Sequence, residues 1–467
     1  MFASRPSSSS VGAKIEEKRG MSIICIMFGM LVLVIALATG LGVGLGGGNG
    51  EPLSSAETEA PTLPLNISFF QSLVEDFYDD GGTVFEDTNS PQYQALFWLA
   101  SNPESETLDV DRIRTLYALA VFYYNTNGEN FASYPTWSEQ FGFLNSTTEN
   151  ICKWNNGWIE GDKTRDPKGL LCDANETKVE RLYLSTNNLN GAIPKEIGML
   201  KDLQYLLVAY NRLVSTLPGS LFELSALKGV DFNGNSISGT LPSTFVKASG
   251  LEVLHLGSNA LRGPISLDHI VDNVFCPLTL VVLTGNTFSG TFPLERIAAN
   301  CTDMTAININ DAGLTVDGSI PPQGLEQLTL LDLTKSELAG SLPDEISRLW
   351  RLQQFKADYN TLTGTLPTTL GKLIALTDLS LNSNNLEGTI PSELGQLQQL
   401  TSLVLSSNIL SGTVPSELAS CTKLVEVKLE MNTLSGDMDM FCSLGFERLT
   451  SDCDTRDVVC SCCTECY

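Results

Sequence analysis

The chain has 467 residues and a formal net charge of −26, from 54 acidic and 28 basic side chains. This acidic excess excludes a general nucleic-acid-binding protein, because no basic face outweighs so strong a negative field. The charge suits the attraction of calcium or basic peptides, but we interpret it chiefly as keeping a long surface soluble.

An apolar segment lies close to the N-terminus. Residues 21–45 contain no charged side chain, and as a helix they are long enough to cross a hydrocarbon core of about 30 Å. Basic residues precede the segment and glutamates follow it, so the positive-inside rule predicts a cytoplasmic N-terminus and an extracellular or luminal remainder. We therefore predict a disordered tail (residues 1–20), a transmembrane signal anchor (21–45) and a flexible linker (46–65) in a single-pass plasma-membrane or endomembrane protein.

Two features of this segment leave alternatives open. The run Ala36-Leu37-Ala38 resembles a signal-peptidase site, and cleavage there would yield a secreted protein. Two overlapping GxxxG spacings between residues 40 and 46 favour a homodimer through the transmembrane helix, or simply mark the start of the linker.

The next region, residues 66–150, is predicted to be a helical N-terminal flank. Residues 68–78, 91–100 and 109–125 each have apolar side chains at helical spacing, and Asp109 is suited to cap the third helix. An aromatic cluster follows, which we expect in the core more than in a ligand cage. It consists of Phe131, Tyr134, Trp137, Phe141 and Phe143.

A repeated motif organises the rest of the chain. It reads Leu-x-Leu-x-x-Asn-x-Leu-x-Gly-x-Ile-Pro at residues 182–194, and eight of the ten steps between successive asparagine positions are 24 residues. These positions are Asn187, Asn211, Asn235, Asn259, Asn286, Ala312, Ser336, Asn360, Asn384, Asn408 and Asn432. The period predicts an α/β solenoid, a right-handed leucine-rich repeat superhelix of about eleven 24-residue repeats over residues 179–437.

Each position of the motif has a physical reason. The paired leucines alternate along a short strand, so that both point inward and stack on the leucines of neighbouring turns. The asparagine amide is expected to bond backbone groups where the chain leaves the strand, which forms an internal polar ladder. The Gly-x-Ile-Pro run suits an extended segment on the far side of the coil.

The Leu-x-Gly-x-Ile-Pro ending resembles the plant-type leucine-rich repeat of plant and algal receptor-like proteins, receptor kinases and polygalacturonase inhibitors. The resemblance covers about residues 152–467, and it implies an N-terminal cap (151–178) that contains Trp154 and Trp158 and is closed by a Cys152–Cys172 disulfide. The motif lacks its asparagine at Ala312 and Ser336, and Ser266 stands in place of a proline. We expect a local irregularity over residues 276–321.

Eleven of the twelve cysteines follow residue 150, which predicts disulfide-bonded ends in an oxidising compartment. Cys276 and Cys301 lie in neighbouring irregular turns and are expected to pair. The remaining seven are Cys421, Cys442, Cys453, Cys460, Cys462, Cys463 and Cys466. The spacing of the last four also suits zinc, but the predicted topology favours disulfides in a C-terminal cap (438–467). Because seven is odd, one thiol is expected to be free or to bridge to a second chain.

Four Asn-x-Ser/Thr acceptors agree with a luminal or extracellular location, because all of them follow the apolar segment. They are Asn66, Asn145, Asn175 and Asn300.

The strands of a solenoid line its concave face, so the residues between the motif leucines are expected to point outward there. The first outward column is Tyr183, Leu207, Asp231, His255, Val282, Asn308, Asp332, Lys356, Ser380, Val404 and Lys428. The second is Ser185, Ala209, Asn233, Gly257, Thr284, Asn310, Thr334, Asp358, Asn382, Ser406 and Glu430.

Two patches on this face are candidate ligand-binding sites. The N-terminal patch mixes aromatic and hydrogen-bonding groups, as recognition surfaces do: Arg181, Tyr183, Tyr205, Tyr210, Asp231, Asn233 and His255. The charged patch is Asp332, Lys356, Asp358, Tyr359 and Asp378. Because histidine titrates near neutral pH, His255 beside Asp231 also suggests pH-sensitive binding. The alternative is that all of these are ordinary solvated residues.

The function predicted from these features is recognition. The sequence contains only two histidines and no lipase, P-loop, HExxH or kinase signature, so we expect neither catalysis nor a cofactor nor a metal. We predict a membrane-anchored receptor-like or adhesion protein that binds a protein, peptide or wall glycan and signals through a co-receptor or homodimer. The alternatives are a secreted inhibitor of cell-wall-degrading enzymes and, less favoured, an enzyme with an acidic site.

Overall fold

The computed structural model describes residues 66–79, 81–128, 136–145, 151–155, 166–273, 275–316, 318–321, 323–445, 447–453 and 458–467. The predicted tail, transmembrane segment and linker lie outside these residues, as do Phe131, Tyr134 and Trp158. Across the described part of the chain, no helix is both long enough and apolar enough to span a membrane.

One long sheet runs through the array and, in the described residues, contains fourteen strands. In chain order they are β1 (Gly169–Cys172), β2 (Val179–Tyr183), β3 (Tyr205–Leu207), β4 (Gly229–Asp231), β5 (Val253–His255), β6 (Leu280–Val282), β7 (Ala306–Asn308), β8 (Leu330–Asp332), β9 (Gln354–Lys356), β10 (Asp378–Ser380), β11 (Ser402–Val404), β12 (Glu426–Lys428), β13 (Arg448–Ser451) and β14 (Glu465–Cys466). β1 is antiparallel to β2, and each later strand is parallel to its neighbour. The predicted solenoid is confirmed, with one strand for each of the eleven repeats. We call the outward face of this sheet the concave face.

Shorter strands line the far side of the coil, where the Gly-x-Ile-Pro runs were expected to be extended. They are Asn190–Gly191, Arg212–Leu213, Ser238–Gly239, Ala260–Pro264, Thr287–Ser289, Thr291–Phe292, Thr315–Val316, Ala339–Ser341, Thr361–Thr365, Asn385–Gly388, Ile409–Thr413, Thr433–Asp437 and Val458–Val459. Short 3-10 helices then return the chain to the long sheet at Lys195–Met199, Gly219–Glu223, Ser243–Lys247, Asp344–Arg348, Thr368–Lys372, Ser392–Gln396, Ser416–Ser420 and Asp439–Phe441.

The asparagine ladder is present, and Asn384 illustrates it. Its Nδ2 donates to the carbonyl oxygens of Ala357 (2.9 Å) and Leu381 (3.1 Å), while its Oδ1 accepts from the backbone N–H of Leu362 (3.0 Å). One side chain therefore satisfies three backbone groups that belong to two turns, in a region from which water is excluded. The same arrangement recurs at Asn211, Asn235, Asn259, Asn286, Asn360, Asn408 and Asn432.

Three α-helices form the N-terminal flank: α1 (Ile67–Val74), α2 (Pro91–Ala100) and α3 (Val110–Asn125). The second and third agree with prediction, and Asp109 caps α3 by accepting a hydrogen bond from the backbone N–H of Arg112 (2.8 Å). The first ends earlier than predicted and continues as a 3-10 turn, Glu75–Phe77. Tyr78 then adopts an extended conformation, from which its hydroxyl reaches Tyr117 (2.6 Å) and the carboxylate of Glu196 (2.5 Å). Further 3-10 turns in the flank and cap are Thr83–Phe85, Pro103–Thr107 and Ile151–Lys153.

The flank completes the first turn of the array. The Nδ2 of Asn187 donates to the carbonyl oxygen of Glu139 (2.9 Å), and its Oδ1 accepts from the Glu139 N–H (2.7 Å). Glu139 thus stands where a preceding repeat would place its own backbone. Trp137 and Phe143 are buried beside it, as expected of core residues.

The predicted irregularity is present, and it begins before residue 276, in the turn of Asn259. Two α-helices, α4 (Asp268–Val271) and α5 (Leu294–Asn300), stand where other turns have 3-10 helices. The N–H of Phe288 donates to the backbone carbonyl of Ala312 (2.9 Å), in place of an amide side chain. At Ser336 the hydroxyl donates to the carbonyl of Leu333 (2.5 Å). The ladder therefore continues through this region with substitute partners.

The C-terminal cap extends the long sheet by β13 and β14. Here the Asp452 carboxylate accepts the backbone N–H groups of Met431 (2.8 Å) and Asn432 (3.0 Å), which have no further repeat to bond. Among the described residues five disulfides are present: Cys152–Cys172, Cys276–Cys301, Cys442–Cys462, Cys453–Cys466 and Cys460–Cys463. The first two are the pairings expected above.

Cys421 is the free thiol expected among the seven C-terminal cysteines, and it is buried, so its assignment to the disulfide cysteines is wrong. It occupies the position that Leu349, Leu373 and Leu397 hold in the preceding turns, directly after the 3-10 helix. It is therefore a small core residue of the array and not part of the C-terminal cap.

Replacing Asn384 by alanine is expected to lower the free energy of unfolding by about 3 kcal/mol, because three buried backbone groups lose their partner. The matched control is Asn385→Ala, at the adjacent exposed position, which should change stability by less than about 0.5 kcal/mol. Urea unfolding of both variants checks this, and equal midpoints would contradict the role of the ladder.

Candidate ligand-binding face

The register of the long sheet places the predicted outward columns as expected. Tyr183 pairs with Leu207, Leu207 with Asp231, and Asp231 with His255. The same row continues through Asp332, which pairs with Lys356. Side chains in one row lie about 4.8 Å apart, so neighbours along a row contact each other.

Tyr205 lies flat across the concave face at the N-terminal patch. A Cβ added to Gly229, on the next strand, would be 2.6 Å from the Tyr205 ring, so the ring depends on this glycine. The Tyr205 hydroxyl donates to Glu252 (2.7 Å), and the Arg181 guanidinium lies 5.9 Å from the ring centroid. Burial and the bond to Glu252 raise the pKa of Tyr205, so the phenol stays a neutral donor at physiological pH.

Tyr210 is at the rim of the same patch, in the turn that precedes the ladder asparagine. Its φ is +53°, a left-handed conformation that bulky residues rarely adopt, and its side chain is 47% exposed. Its ring also covers a glycine, because a Cβ on Gly234 would be 2.8 Å from it. The rings of Tyr205 and Tyr210 therefore each lie over a glycine of the following turn, and both belong to the N-terminal patch.

Asp231 is on β4 and His255 on β5, the two strands that follow Tyr205 in the sheet. The His255 Nδ1 is 3.2 Å from an Asp231 carboxylate oxygen, an ion pair when the imidazole is protonated, and both side chains are largely buried. The same carboxylate oxygen accepts the backbone N–H of Asn233 (3.1 Å). The structure thus shows Asp231 and His255 as neighbours, as predicted, and Asp231 also bonds the backbone of Asn233 in the second column.

Two polar atoms of the N-terminal patch are buried without a hydrogen-bond partner: the Nε of Arg181 and the Nδ1 of His255. The distance from His255 to Asp231 suits attraction, but the angle does not suit a hydrogen bond. Arg181 also forms no ion pair with any described residue. Buried donors without acceptors are uncommon, and each one needs an explanation.

Two carboxylates of the charged patch, Asp358 and Asp332, already accept hydrogen bonds from neighbouring residues. Asp358 accepts hydrogen bonds from the Ser380 hydroxyl (2.7 Å) and from the backbone N–H of Asn382 (2.7 Å), and Asp332 accepts from the N–H of Thr334 (3.1 Å). Burial raises the pKa of both carboxyl groups, and Lys356 opposes this. Lys356 itself forms no ion pair with the residues that the structure describes.

The remaining predicted residues are less closely joined. Tyr359 repeats the rim conformation of Tyr210, with a φ of +53° and 58% exposure. Asp378 accepts a hydrogen bond from Thr377 (2.6 Å), while Tyr183 is half-buried and burial raises its pKa. The structure therefore brings the N-terminal patch together and leaves the rim tyrosine of the charged patch separate.

Sequence reasoning missed Glu252, Gly229 and Gly234. The two glycines had a detectable signal, because glycine inside a strand pattern often marks a close approach of another group. Glu252 had none, since it precedes its strand and only the direction of the Tyr205 side chain brings the two together.

The four glycosylation acceptors lie in different surroundings. Asn145 and Asn175 are exposed. The Asn300 Nδ2 donates to the carbonyl of Val271 (3.0 Å), and the Asn66 amide bonds the Glu106 carboxylate. The structure leaves Asn145 and Asn175 as the two acceptors whose side chains are freely presented.

The charged patch predicts a pH dependence of stability. Burial raises the folded-state pKa of Asp358, so ionising this carboxyl group costs more in the folded protein than in the unfolded chain. The stability of the folded state is therefore highest below the unfolded pKa, where the group is protonated, and it falls as the pH rises through the folded pKa. Wild-type stability should therefore fall relative to that of Asp358→Asn as the pH rises above about 4. Thermal unfolding across this range checks the sign. The exposed control Asp344→Asn should follow wild type, and a gain of wild type over Asp358→Asn with rising pH would contradict the prediction.

Comparison with known proteins agrees with this geometry. The Leucine Rich Repeat family model matches residues 375–397 and 399–421, and no curated protein matches the chain. One similar solved structure is a plant peptide hormone receptor, RGFR1, in complex with RGF2, with 32% identity over 58% of this chain and 43% of that chain and a TM-score of 0.49. A second is the leucine-rich repeat ectodomain of the Arabidopsis thaliana membrane receptor kinase GASSHO1/SCHENGEN3 in complex with Casparian strip integrity factor 2, with 27% identity over 61% and 38% and a TM-score of 0.50.

A third is the Arabidopsis receptor kinase HAESA in complex with the peptide hormone IDA and the co-receptor SERK1. It is 22% identical over 75% of this chain and 61% of that chain, with a TM-score of 0.51, which is a likeness of fold. This chain spans less than two thirds of each of the three receptor chains. With the repeat spacing and the long parallel sheet, these matches show a leucine-rich repeat fold that is similar to plant receptor ectodomains.

Proposed function

We propose that this protein is a receptor-like protein that binds an extended peptide, or an extended segment of a protein, on its N-terminal patch. The observation that carries the proposal is the N-terminal patch, where two tyrosine rings lie over glycines and Arg181 Nε and His255 Nδ1 have no hydrogen-bond partner among the described residues. Both atoms are buried, so a ligand reaches them only after side-chain rotations that expose them, and groups on the ligand would then satisfy them.

The spacing of these donors favours an extended ligand. Arg181 is on β2 and His255 on β5, three strands (about 14 Å) across the sheet and two register positions (about 7 Å) along it, so they lie about 16 Å apart. An extended chain rises about 3.3 Å per residue, so groups about five residues apart would meet both side chains. Tyr205 and Tyr210 offer aromatic surface to the side chains in between.

The comparison with the GASSHO1/SCHENGEN3 ectodomain supports this role, because that receptor domain is in complex with Casparian strip integrity factor 2. The rigid strand surface also suits peptide binding, since it is ordered before the ligand arrives and only the ligand loses conformational freedom. Recognition, and not turnover, is therefore the activity that we propose.

We also propose that residues 21–45 anchor the protein in the plasma membrane or an endomembrane, with the repeats extracellular or luminal. The charge asymmetry around this segment and the five disulfides support this arrangement. A co-receptor, or a homodimer through the transmembrane helix, would transmit binding across the membrane.

A library of random linear peptides, selected against the purified full chain, tests the binding site. Arg181→Ala should weaken the selected peptides about tenfold, because it removes an unpaired donor at the patch. The matched control is Lys356→Ala, which removes an unpaired cation from the charged patch and should leave affinity unchanged. Peptides that bind wild type and Arg181→Ala equally well would refute the proposed site.

Topology is tested on membranes from eukaryotic cells that express the full chain. We expect carbonate-resistant protein whose repeats are protected from protease and shift on glycosidase treatment, with Asn175→Gln losing one unit of the shift. Soluble, glycosylated protein that lacks residues 1–38 would overturn the anchor and favour the secreted inhibitor. Unglycosylated repeats on the cytosolic side would overturn both.

A further inference from the structure

A groove lies on the far side of the coil, away from the concave face. It has a volume of about 830 Å³ and spans three successive turns, between the second row of strands and the 3-10 helices. Each turn contributes a threonine from its strand end: Thr365, Thr389 and Thr413. The buried side chains Leu366, Ile390 and Val414 form its base.

The fold packs the methyl group of each threonine but leaves its hydroxyl group without a protein partner among the residues that the structure describes. The Thr389 methyl group packs against the following turn, since a Cβ on Gly412 would lie 3.0 Å from it, and Thr365 and Thr413 make the same contact with Gly388 and Gly436. The three hydroxyl groups are exposed and donate to no protein atom in the described part of the chain. Valine would fill the same space, so packing does not account for the hydroxyls.

Acceptors are present at the same spacing. Glu393 and Glu417 line the groove, and their carboxylates are engaged only by long contacts from Ser392 (3.4 Å) and Ser416 (3.3 Å). All thirteen lining residues are described, and none is aromatic or basic. Such a lining repels anionic chains and offers no apolar recess for the side chains of a peptide.

We propose that this groove binds a neutral, extended polysaccharide with β-linked pyranose rings, aligned with the axis of the coil. Sugar hydroxyls both donate and accept hydrogen bonds, which matches a lining that contains hydroxyl groups and carboxylates. Successive turns are about 4.8 Å apart, close to the spacing of successive rings in such a chain. The site is independent of the peptide site on the concave face, and either can fail without the other.

The test uses the purified full chain and neutral linear oligosaccharides, one β-1,4-linked and one β-1,3-linked glucan, with binding measured by calorimetry. We expect one of the two to bind. Thr389→Val should weaken it about fivefold, and Thr389→Val combined with Glu393→Gln should weaken it tenfold or more. Because valine keeps the methyl contact, the unfolding midpoint should not change.

The matched control is Thr240→Val. Thr240 holds the same repeat position, with its methyl group 2.9 Å from a Cβ built on Gly263, but it lies outside the groove. It should bind as wild type does, and so should Arg181→Ala. Absence of binding to both glucans, or equal losses for Thr389→Val and Thr240→Val, would overturn the proposal. A peptide that binds in the groove and is displaced by neither glucan would overturn it as well.

Discussion

The array depends on completing the hydrogen bonds of backbone that the coil buries at every turn. The ladder asparagines supply one donor group and one acceptor each, and they connect three backbone groups across two turns. Such a ladder cannot simply end, because its last members would be left unbonded. The flank solves this at one end with the backbone of Glu139, and the C-terminal cap solves it at the other with the carboxylate of Asp452. Flank and cap are therefore parts of the solenoid and not modules attached to it.

Since the ladder and the stacked leucines stabilise the coil, the outward positions are free to differ from turn to turn. Two glycines of one turn, Gly229 and Gly234, allow the rings of Tyr205 and Tyr210 to lie flat over the sheet. Neither glycine is required by the repeat motif, whose own glycine lies later in the turn. The backbone of a repeat fixes the position of each Cβ atom. The size of the neighbouring side chain in the next repeat then determines which direction the rest of the side chain can take. Recognition surfaces are added to such folds at low cost to stability.

This explains what the sequence predicts well and what it does not. Anything periodic was accessible: the strands, the outward columns, the ladder, and the irregular region within residues 276–321. The ends of the ladder were not, because Glu139 and Asp452 have no counterpart at the repeat spacing. The cysteine pattern places Cys421 with the disulfide cysteines, whereas its repeat position is one that leucines occupy in other turns. The repeat position determines that Cys421 is buried and free. The path of Tyr205 toward Glu252 depends on a side-chain rotation that no spacing encodes.

The two patches of the concave face show why chemical variety alone does not locate a site. The charged patch has more carboxylates, yet Asp332 and Asp358 already receive backbone and hydroxyl donors, so a ligand there would have to displace bonds of equal value. At the N-terminal patch, the buried Arg181 Nε and His255 Nδ1 have no hydrogen-bond partner among the described residues, although the Asp231 carboxylate lies 3.2 Å from His255 Nδ1. A ligand that meets them gains the bond without breaking another, on strands whose ordering was completed when the coil folded. Binding free energy is therefore concentrated where the protein leaves its own hydrogen bonds unmade.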